Sequence, residues 1–238
     1  MINQAVTKGL DPNVQFKDSG IEWLGNIPVH WDLKKVKHIV NVNPSKSLSL
    51  IDKKSSEKVC FLPMEKVNTD GTYLTDLYKP IKELFNGFTY FKTNDVIFAK
   101  ITPCFENGKG ALLDSIPTKF GFGSTEFHVL RSVHGISIPK YIYYLTVSNL
   151  FRKIGEAFMS GAAGQKRVPT DFVESFIVPC PPSIEQNKIV VYLDHKINQI
   201  VTLISKTQNQ IDLLQEYRTA LISEVVTGKI DVRDWEED

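Results

Sequence analysis

The stretch from Ser183 to about Thr227 constrains this chain most. Pro181 and Pro182 stop whatever precedes it. Ser183 and Gln186 have the S-x-x-Q spacing of a capping box, which satisfies two backbone donors at a helix start. Apolar residues then return at steps of three and four: Val190, Leu193, Ile197, Ile200, Ile204, Ile211, Leu214, Leu221 and Val225. Only Thr207 and Arg218 interrupt this seam, so the pattern is that of a coiled coil. Gly228 stands where a left-handed cap residue ends a helix. About 45 residues at a rise of 1.5 Å give a rod of roughly 67 Å, longer than a small domain is wide. Its seam needs a partner helix. Ile189, Leu203 and Tyr217 on one flank, with Val201 and Ile222 on the other, make the apolar stripe wider than two strands of helix require. Leu203 and Tyr217 are therefore expected to meet a second protein.

An internal echo adds to this. Ile2-Asn3-Gln4-Ala5-Val6-Thr7-Lys8-Gly9-Leu10-Asp11 is matched by Ile222-Ser223-Glu224-Val225-Val226-Thr227-Gly228-Lys229-Ile230-Asp231 at Ile, Val, Thr and Asp, with a constant offset of 220. The Lys-Gly pair is swapped. One period fits between the two segments, so the chain reads as one unit of a two-unit array. Chance similarity between two helix ends is the alternative.

Charge divides along the same line. Residues 1–182 hold 22 Lys/Arg and 17 Asp/Glu, a net of +5; residues 183–238 hold 6 and 10, a net of −4. A mildly basic body suits nucleic acid, and an acidic rod suits protein contact. Cys60, Cys104 and Cys180 are far apart and odd in number, which argues against a disulfide framework or zinc spacing and for reduced thiols. No leader-like or membrane-length apolar run is present, so a soluble, cytoplasmic protein is expected.

Residues 1–17 read as a helix end through Thr7 and an extended linker marked by Gly9 and Pro12. Trp23 and Trp31, fenced by Gly and Pro, read as a packed anchor, with base stacking as the functional alternative. Short β-branched and aromatic runs predict strands at 59–64, 72–77, 88–91, 96–101, 111–113 and 127–131. A helix is predicted from Pro139 to about Phe158, then a loop to Pro169, a short helix and a strand at 175–178. The expected fold class is α+β, a mixed globular domain followed by a long helix. The expected divisions are residues 1–17, a globular domain at 18–182, the helix at 183–228 and an acidic tail at 229–238.

Catalytic constellations are missing. There is no G-x-x-x-x-G-K-[ST] loop. Gly121-Phe122-Gly123 is a lone G-x-G that does not lead into a helix, so it is no dinucleotide or methyl-donor site. Asn43-Pro44-Ser45 lacks the second proline and the aromatic ring of an amino-methyltransferase motif. His30, His38, His128, His134 and His195 are scattered and read as structural or surface residues. No enzyme, cofactor or metal is expected. The remaining chemistry lies in loops. Gly161-Ala162-Ala163-Gly164-Gln165-Lys166-Arg167 carries Gln, Lys and Arg on a glycine-rich tip, side chains that read adenine, guanine or phosphate. Lys100 ends a strand and Lys109 sits in a turn. Gln165, Lys166 and Arg167, with Lys100 and Lys109 as weaker members, are the candidate DNA contacts; solvated turns are the other reading.

Three long motifs then bear a resemblance. Asp18–Trp31 resembles the D-S-G-I-E-W-L-G-x-I-P-x-H-W box of type I restriction-modification specificity subunits. Pro181–Gln186 is similar to that family's P-P-x-x-E-Q helix start, and Tyr217–Asp231 to its Y-R-x-A-L-I-S-x-x-V-T-G-K-I-D exit. The resemblance implies a non-catalytic subunit. Its target-recognition domain reads one half of a bipartite double-stranded DNA site. Its conserved helix pairs antiparallel, sets the gap between halves and docks methylation subunits, with restriction subunits joining through them. The family pattern has two recognition domains and two helices; this sequence has one of each, a half-sized form. A homodimer through an antiparallel coiled coil is therefore expected, and two identical readers would recognise an interrupted palindrome. A coiled-coil adapter without a DNA role and a stand-alone DNA-modifying enzyme remain the alternatives.

Overall fold

The computed structural model describes residues 1–48, 51–162 and 164–233. It divides into two compact units, Met1–Val191 and Tyr192–Asp238. The acidic tail lies partly outside the described residues, as does Ala163 of the glycine-rich loop.

The first unit is built on two four-stranded sheets. One has the order β6 (Tyr78–Pro80), β5 (Lys58–Leu62), β10 (Phe120–Gly123), β7 (Thr89–Lys92), with β5 and β10 parallel. The other is antiparallel, in the order β4 (Val40–Val42), β11 (Phe127–Ser132), β8 (Val96–Ala99), β9 (Gly110–Leu112). Period-two alternation explains how β5 serves both faces of its sheet. Cys60 and Leu62 join Phe91, Ile97, Ala111, Phe127 and Val129 in a core shared by the two sheets. Val59 and Phe61 point the other way and pack with Phe122, Tyr90 and the apolar residues of α2 (Ile81–Leu84). The second sheet is covered by α3 (Pro139–Val147) and α4 (Asn149–Ala157), where the Phe151 ring meets Phe98 edge-on at 5.5 Å. Two small antiparallel pairs complete the unit: β1 (Phe16–Asp18) with β2 (Asn26–Pro28), and β3 (Asp32–Lys35) with β12 (Ile177–Cys180). A short helix α5 (Thr170–Ser175) precedes β12.

Helix α1 (Ile2–Lys8) buries Ala5, Val6 and Thr7 in this unit. The hydroxyl of Tyr141 lies 3.3 Å from the Val6 carbonyl and 3.2 Å from that of Pro179. Trp31 is fully buried and donates its indole N–H to Glu185 at 3.0 Å. Trp23 stacks on Phe176 at 4.9 Å. Trp31 is thus the packed anchor the sequence suggested, whereas Trp23, 37% exposed, rests one ring face on Phe176 and leaves the rest open.

Several expectations are corrected. Residues 72–77 form no strand; an isolated bridge, Val67 to Tyr73, replaces it, and the pairing strand is β6. The helix expected from Pro139 to Phe158 breaks at Ser148, whose hydroxyl accepts from the Phe151 N–H at 3.2 Å and so starts α4 as an N-cap. Residues 120–123 are a strand, although two of the four are glycine. Gly121 is required there: a Cβ would lie 2.5 Å from the Phe91 ring and 2.7 Å from the Cys60 carbonyl oxygen.

Helix α6 (Ser183–Val226) has 44 residues, close to the length read from the sequence, and Gly228 follows it at φ 73°. The capping box does not form. The Ser183 hydroxyl donates to the Gly135 carbonyl at 3.2 Å. Gln186 is fully buried; its amide donates to the carbonyls of Ile136 (2.8 Å) and Pro181 (2.9 Å) and accepts from the Ile138 N–H (3.0 Å). The start of the helix is thus fixed to the 136–138 turn rather than to itself. Of the seam, Leu193 is buried, Val190, Ile197, Leu221 and Val225 are half-buried, and Ile200, Ile204, Ile211 and Leu214 are exposed. Leu203 and Tyr217 are 65% and 62% exposed, as much as Ile204 and Leu214 of the seam. No helix among the described residues is long and apolar enough to cross a membrane.

Candidate nucleic-acid interface

The loop singled out by sequence is closed at its base. Ser160 and Arg167 exchange backbone hydrogen bonds of 3.1 and 2.8 Å, and Val168 donates to the Lys100 carbonyl at 2.8 Å. Gly161 makes the closure possible: at φ 143° a Cβ would lie 2.4 Å from the Gln165 carbonyl oxygen. Gln165 and Lys166 are exposed at the tip. Arg167 is half-buried and donates from Nε and Nη2 to Glu126 at 2.8–3.1 Å. These hydrogen bonds hold the Glu126 carboxyl below its ordinary range, and Lys100 adds to the effect. The structure therefore gathers Gln165, Lys166, Arg167 and Lys100 into one neighbourhood. Lys109 is instead tied to the Met64 carbonyl at 3.2 Å.

A cleft opens beside Lys100. One chamber, about 370 Å³, is lined by Lys100, Thr89, Tyr90 and the segment Asn43–Ser47. It shares Asn43, Pro44, Ser45 and Tyr90 with a second chamber of about 550 Å³, which adds Lys37, Asn41, Lys92, Arg131 and Glu174. Five basic residues thus line a continuous cleft against one acid. The basic residues come from the turn after β3 (Lys37), the segment after β4 (Lys46), β7 (Lys92) and the ends of β8 (Lys100) and β11 (Arg131), and the acid, Glu174, from α5.

A buried histidine, His128, working through Asn43, and a buried aspartate, Asp95, fix this cleft. Asn43 adopts φ 47°, in the left-handed region where Asn is tolerated. Its side-chain carbonyl accepts from the Val129 N–H at 3.0 Å, and its amide nitrogen lies 3.1 Å from His128 Nδ1. His128 Nε2 lies 2.9 Å from the Val168 carbonyl, which can only accept, so Nε2 carries the proton and Nδ1 accepts from Asn43. Burial lowers the His128 pKa to about 4, and neighbouring Lys100 adds to that. A neutral imidazole therefore joins the Asn43 turn to the base of the 160–167 loop. The second group is Asp95, 1% exposed, which accepts from Arg131 Nε at 2.8 Å and Nη2 at 2.7 Å and from the Lys92 N–H at 2.7 Å. Arg131 also lies over the Tyr90 ring at 5.6 Å. Lys46 donates to the carbonyls of Phe85 and Phe88 and sits 5.1 Å over the Phe85 ring, its pKa lowered by burial. Sequence reasoning missed Lys37, Lys92 and Arg131. Asn43-Pro44-Ser45 was noticed only as a failed methyltransferase motif.

No cluster of three His, Cys, Asp or Glu that could hold a metal is found among the described residues. The three cysteines are free thiols; burial raises the Cys60 pKa to about 11 and also raises that of Cys180, so neither is a reactive thiolate.

Residues 28–213 match the family model for the type I restriction modification DNA specificity domain. The chain belongs to this specificity family. It is 34% identical over 186 residues to the type I restriction enzyme EcoAI specificity subunit of Escherichia coli, a match covering 77% of this chain and 30% of that protein. Against the EcoEI specificity subunit of the same organism it is 35% identical over 166 residues, 69% of this chain and 27% of the relative. The chain thus spans under a third of the length of these curated relatives. Its fold is similar to the HsdS subunit from Thermoanaerobacter tengcongensis, with TM-score 0.60 and 19% identity over 79% of this chain and 48% of that one. A chain from a structure concerned with complex assembly and conformational transition of the type I R-M system gives TM-score 0.62 and 19% identity, covering 82% and 50%. At such identities these two likenesses concern fold.

Proposed function

We propose that this chain is a non-catalytic DNA-specificity subunit of a type I restriction-modification assembly. Its globular unit reads one half of a bipartite site. Its long helix docks methylation subunits, and restriction subunits join through them. The carrying observation is the family match across residues 28–213, which takes in both the cleft-bearing unit and much of α6. Its DNA target puts its work in the cytoplasm, and no cofactor belongs to this chain. The deciding experiment reconstitutes the chain with a methylation subunit, S-adenosylmethionine and genomic DNA, and maps the methylated sites. A single bipartite motif is expected. Methylation by the chain alone would instead favour an enzyme, and DNA binding absent from every assembly would favour a coiled-coil adapter.

In this reading the exposed tip Gln165–Lys166 and the fork of Arg167 approach base edges and phosphates. Arg167→Ala should cost roughly 1–3 kcal/mol if it reads a guanine, and should relax preference at one base pair. Lys166→Ala should weaken all sequences alike. Lys100 is a phosphate contact by its place in the cleft, and Lys109, tied to Met64, a weaker one.

The half-sized form and its homodimer belong to the same proposal. The seam Val190, Leu193, Ile197, Ile200, Ile204, Ile211, Leu214, Leu221 and Val225 pairs antiparallel with a second copy, and four of these residues stand exposed on the single helix. The pair reads an interrupted palindrome, and the helices set its spacer. Deleting one heptad from the middle of α6 should shorten the mapped gap and leave the half-site bases unchanged. Light scattering showing a monomer, with no second half-subunit present, would refute the dimer.

A further inference from the structure

We propose that the cleft lined by Lys37, Lys92 and Arg131 is a clamp for the sugar-phosphate backbone of duplex DNA, separate from the loop that reads bases. The inference rests on the DNA-binding function proposed above and assigns it a second surface.

Shape decides between phosphate and base. Base edges are recessed at the floor of a groove about 8.5 Å deep, so only a protruding element reaches them. Phosphates stand outward and fit a concave wall. The 160–167 loop is closed at its base with exposed residues at its tip, whereas the second chamber is a concave space of about 550 Å³. The loop therefore suits bases and the cleft suits backbone.

Chemistry agrees with shape. Lys37 and Lys92 are exposed and make no ion pair among the described residues. Arg131 is fixed by Asp95 through Nε and one hydrogen of Nη2, so its remaining N–H groups keep one orientation. A guanidinium held this way loses little side-chain freedom on meeting an anion. Asp95 is 1% exposed and so is shielded from an arriving phosphate by the arginine itself. Lys46 is already engaged with two carbonyls and contributes field rather than contact. Asn43, bonded on both sides of its amide, shapes the wall and does not read DNA. Glu174 is the opposing charge in the lining. It makes the clamp testable in both directions.

The test uses the assembled complex with its methylation subunit, the duplex carrying its mapped site, and an unrelated duplex of equal length. Urea midpoints matching the unsubstituted chain establish that exposed Lys37 and Lys92 have been changed without loss of fold. The double variant Lys37→Ala/Lys92→Ala should bind both duplexes more weakly by the same factor, about eightfold per lysine at 0.1 M salt. The slope of log affinity against log salt should fall by about 1.8. Glu174→Gln should tighten both duplexes. An unchanged slope, or a loss confined to the cognate duplex, would overturn the clamp. So would saturable binding of inorganic phosphate that disappears in the double variant while DNA affinity stays the same, which would make the cleft a small-anion site. If the unsubstituted assembly binds no duplex at all, the proposed function fails first and the clamp falls with it.

Discussion

His128 should make the globular unit acid-sensitive in a defined window. Its imidazole is buried and neutral, donating to Val168 and accepting from Asn43, and burial sets its pKa at about 4. In the unfolded chain the pKa is about 6.5. Between those values the unfolded state binds the extra proton, so stability rises with pH. The contribution is fully present above pH 6.5, is lost as pH falls toward 4, and is constant below. The whole shift of about 2.5 units corresponds to roughly 3 kcal/mol, of which about 2 is lost between pH 7 and pH 5. The assay is urea unfolding of the chain at half-unit steps from pH 7.5 to 4.5, alongside His128→Asn. The variant loses the bond to Val168 and should be less stable at pH 7. Its stability should then fall about 2 kcal/mol less than that of the natural chain on going to pH 5, because the other histidines cancel in the comparison. Imidazole titration by NMR measures the same quantity directly. An imidazole pKa of 6 or above, or parallel pH profiles for the two chains, would refute both the tautomer and its role in joining the Asn43 turn to the 160–167 loop.

Gln186→Ala should destabilise the first unit by on the order of 3 kcal/mol, read from the urea midpoint, because it strands the Ile138 N–H and two carbonyls in the interior. Gly121→Ala should cost about 1–3 kcal/mol or more by the same measurement, since its methyl group meets the Phe91 ring and the Cys60 backbone and neither can yield freely. Replacing Leu203 and Tyr217 with polar residues should weaken methylation-subunit binding in a pull-down more than it weakens self-association by light scattering; equal loss would remove the division between seam and flank.

The long helix was legible because its signals are local and repeated: two prolines before it, a three-four apolar step along it, a glycine after it. Its cap was misread for an instructive reason. S-x-x-Q spacing looks the same whether Gln186 turns back on its own helix or reaches a turn that lies 50 residues earlier. Likewise, Ser148 interrupts a helix whose apolar spacing continues through it, and the phase alone did not reveal that its hydroxyl would cap a new start. The strand at 120–123 was hidden by its glycines, which weaken strand propensity yet are needed where Phe91 and Cys60 approach. The glycine-rich loop was visible as a loop with readable side chains. The cleft was not, because Lys37, Lys92, Arg131 and Glu174 become neighbours only when β4 and β8 pair with β11 and α5 folds alongside. Arg131 in particular looks like an ordinary strand residue until Asp95 is placed beside it.

Arg131 and Arg167 are held by the same device, and the difference between them has a consequence for how specificity can change. Each guanidinium is gripped through Nε and Nη2 by a carboxylate, which leaves the rest of the fork pre-aimed. Asp95 lies beneath Arg131 with 1% of its side chain exposed, whereas Glu126 beside Arg167 is 25% exposed. A phosphate approaching Arg131 meets mainly the cation, while an anion approaching Arg167 also meets Glu126. Arg167 is therefore better placed to donate to a neutral acceptor such as a guanine edge, and Arg131 to hold backbone. The exposed side chains of Gln165 and Lys166 can change without disturbing this arrangement, because the loop's base is closed by the Ser160–Arg167 backbone pair and by Val168 on Lys100, with Gly161 kept for the closure. Under the proposed reading, new tips read new bases while the proposed clamp, with its buried aspartate, and the neutral histidine keep the DNA in the same register.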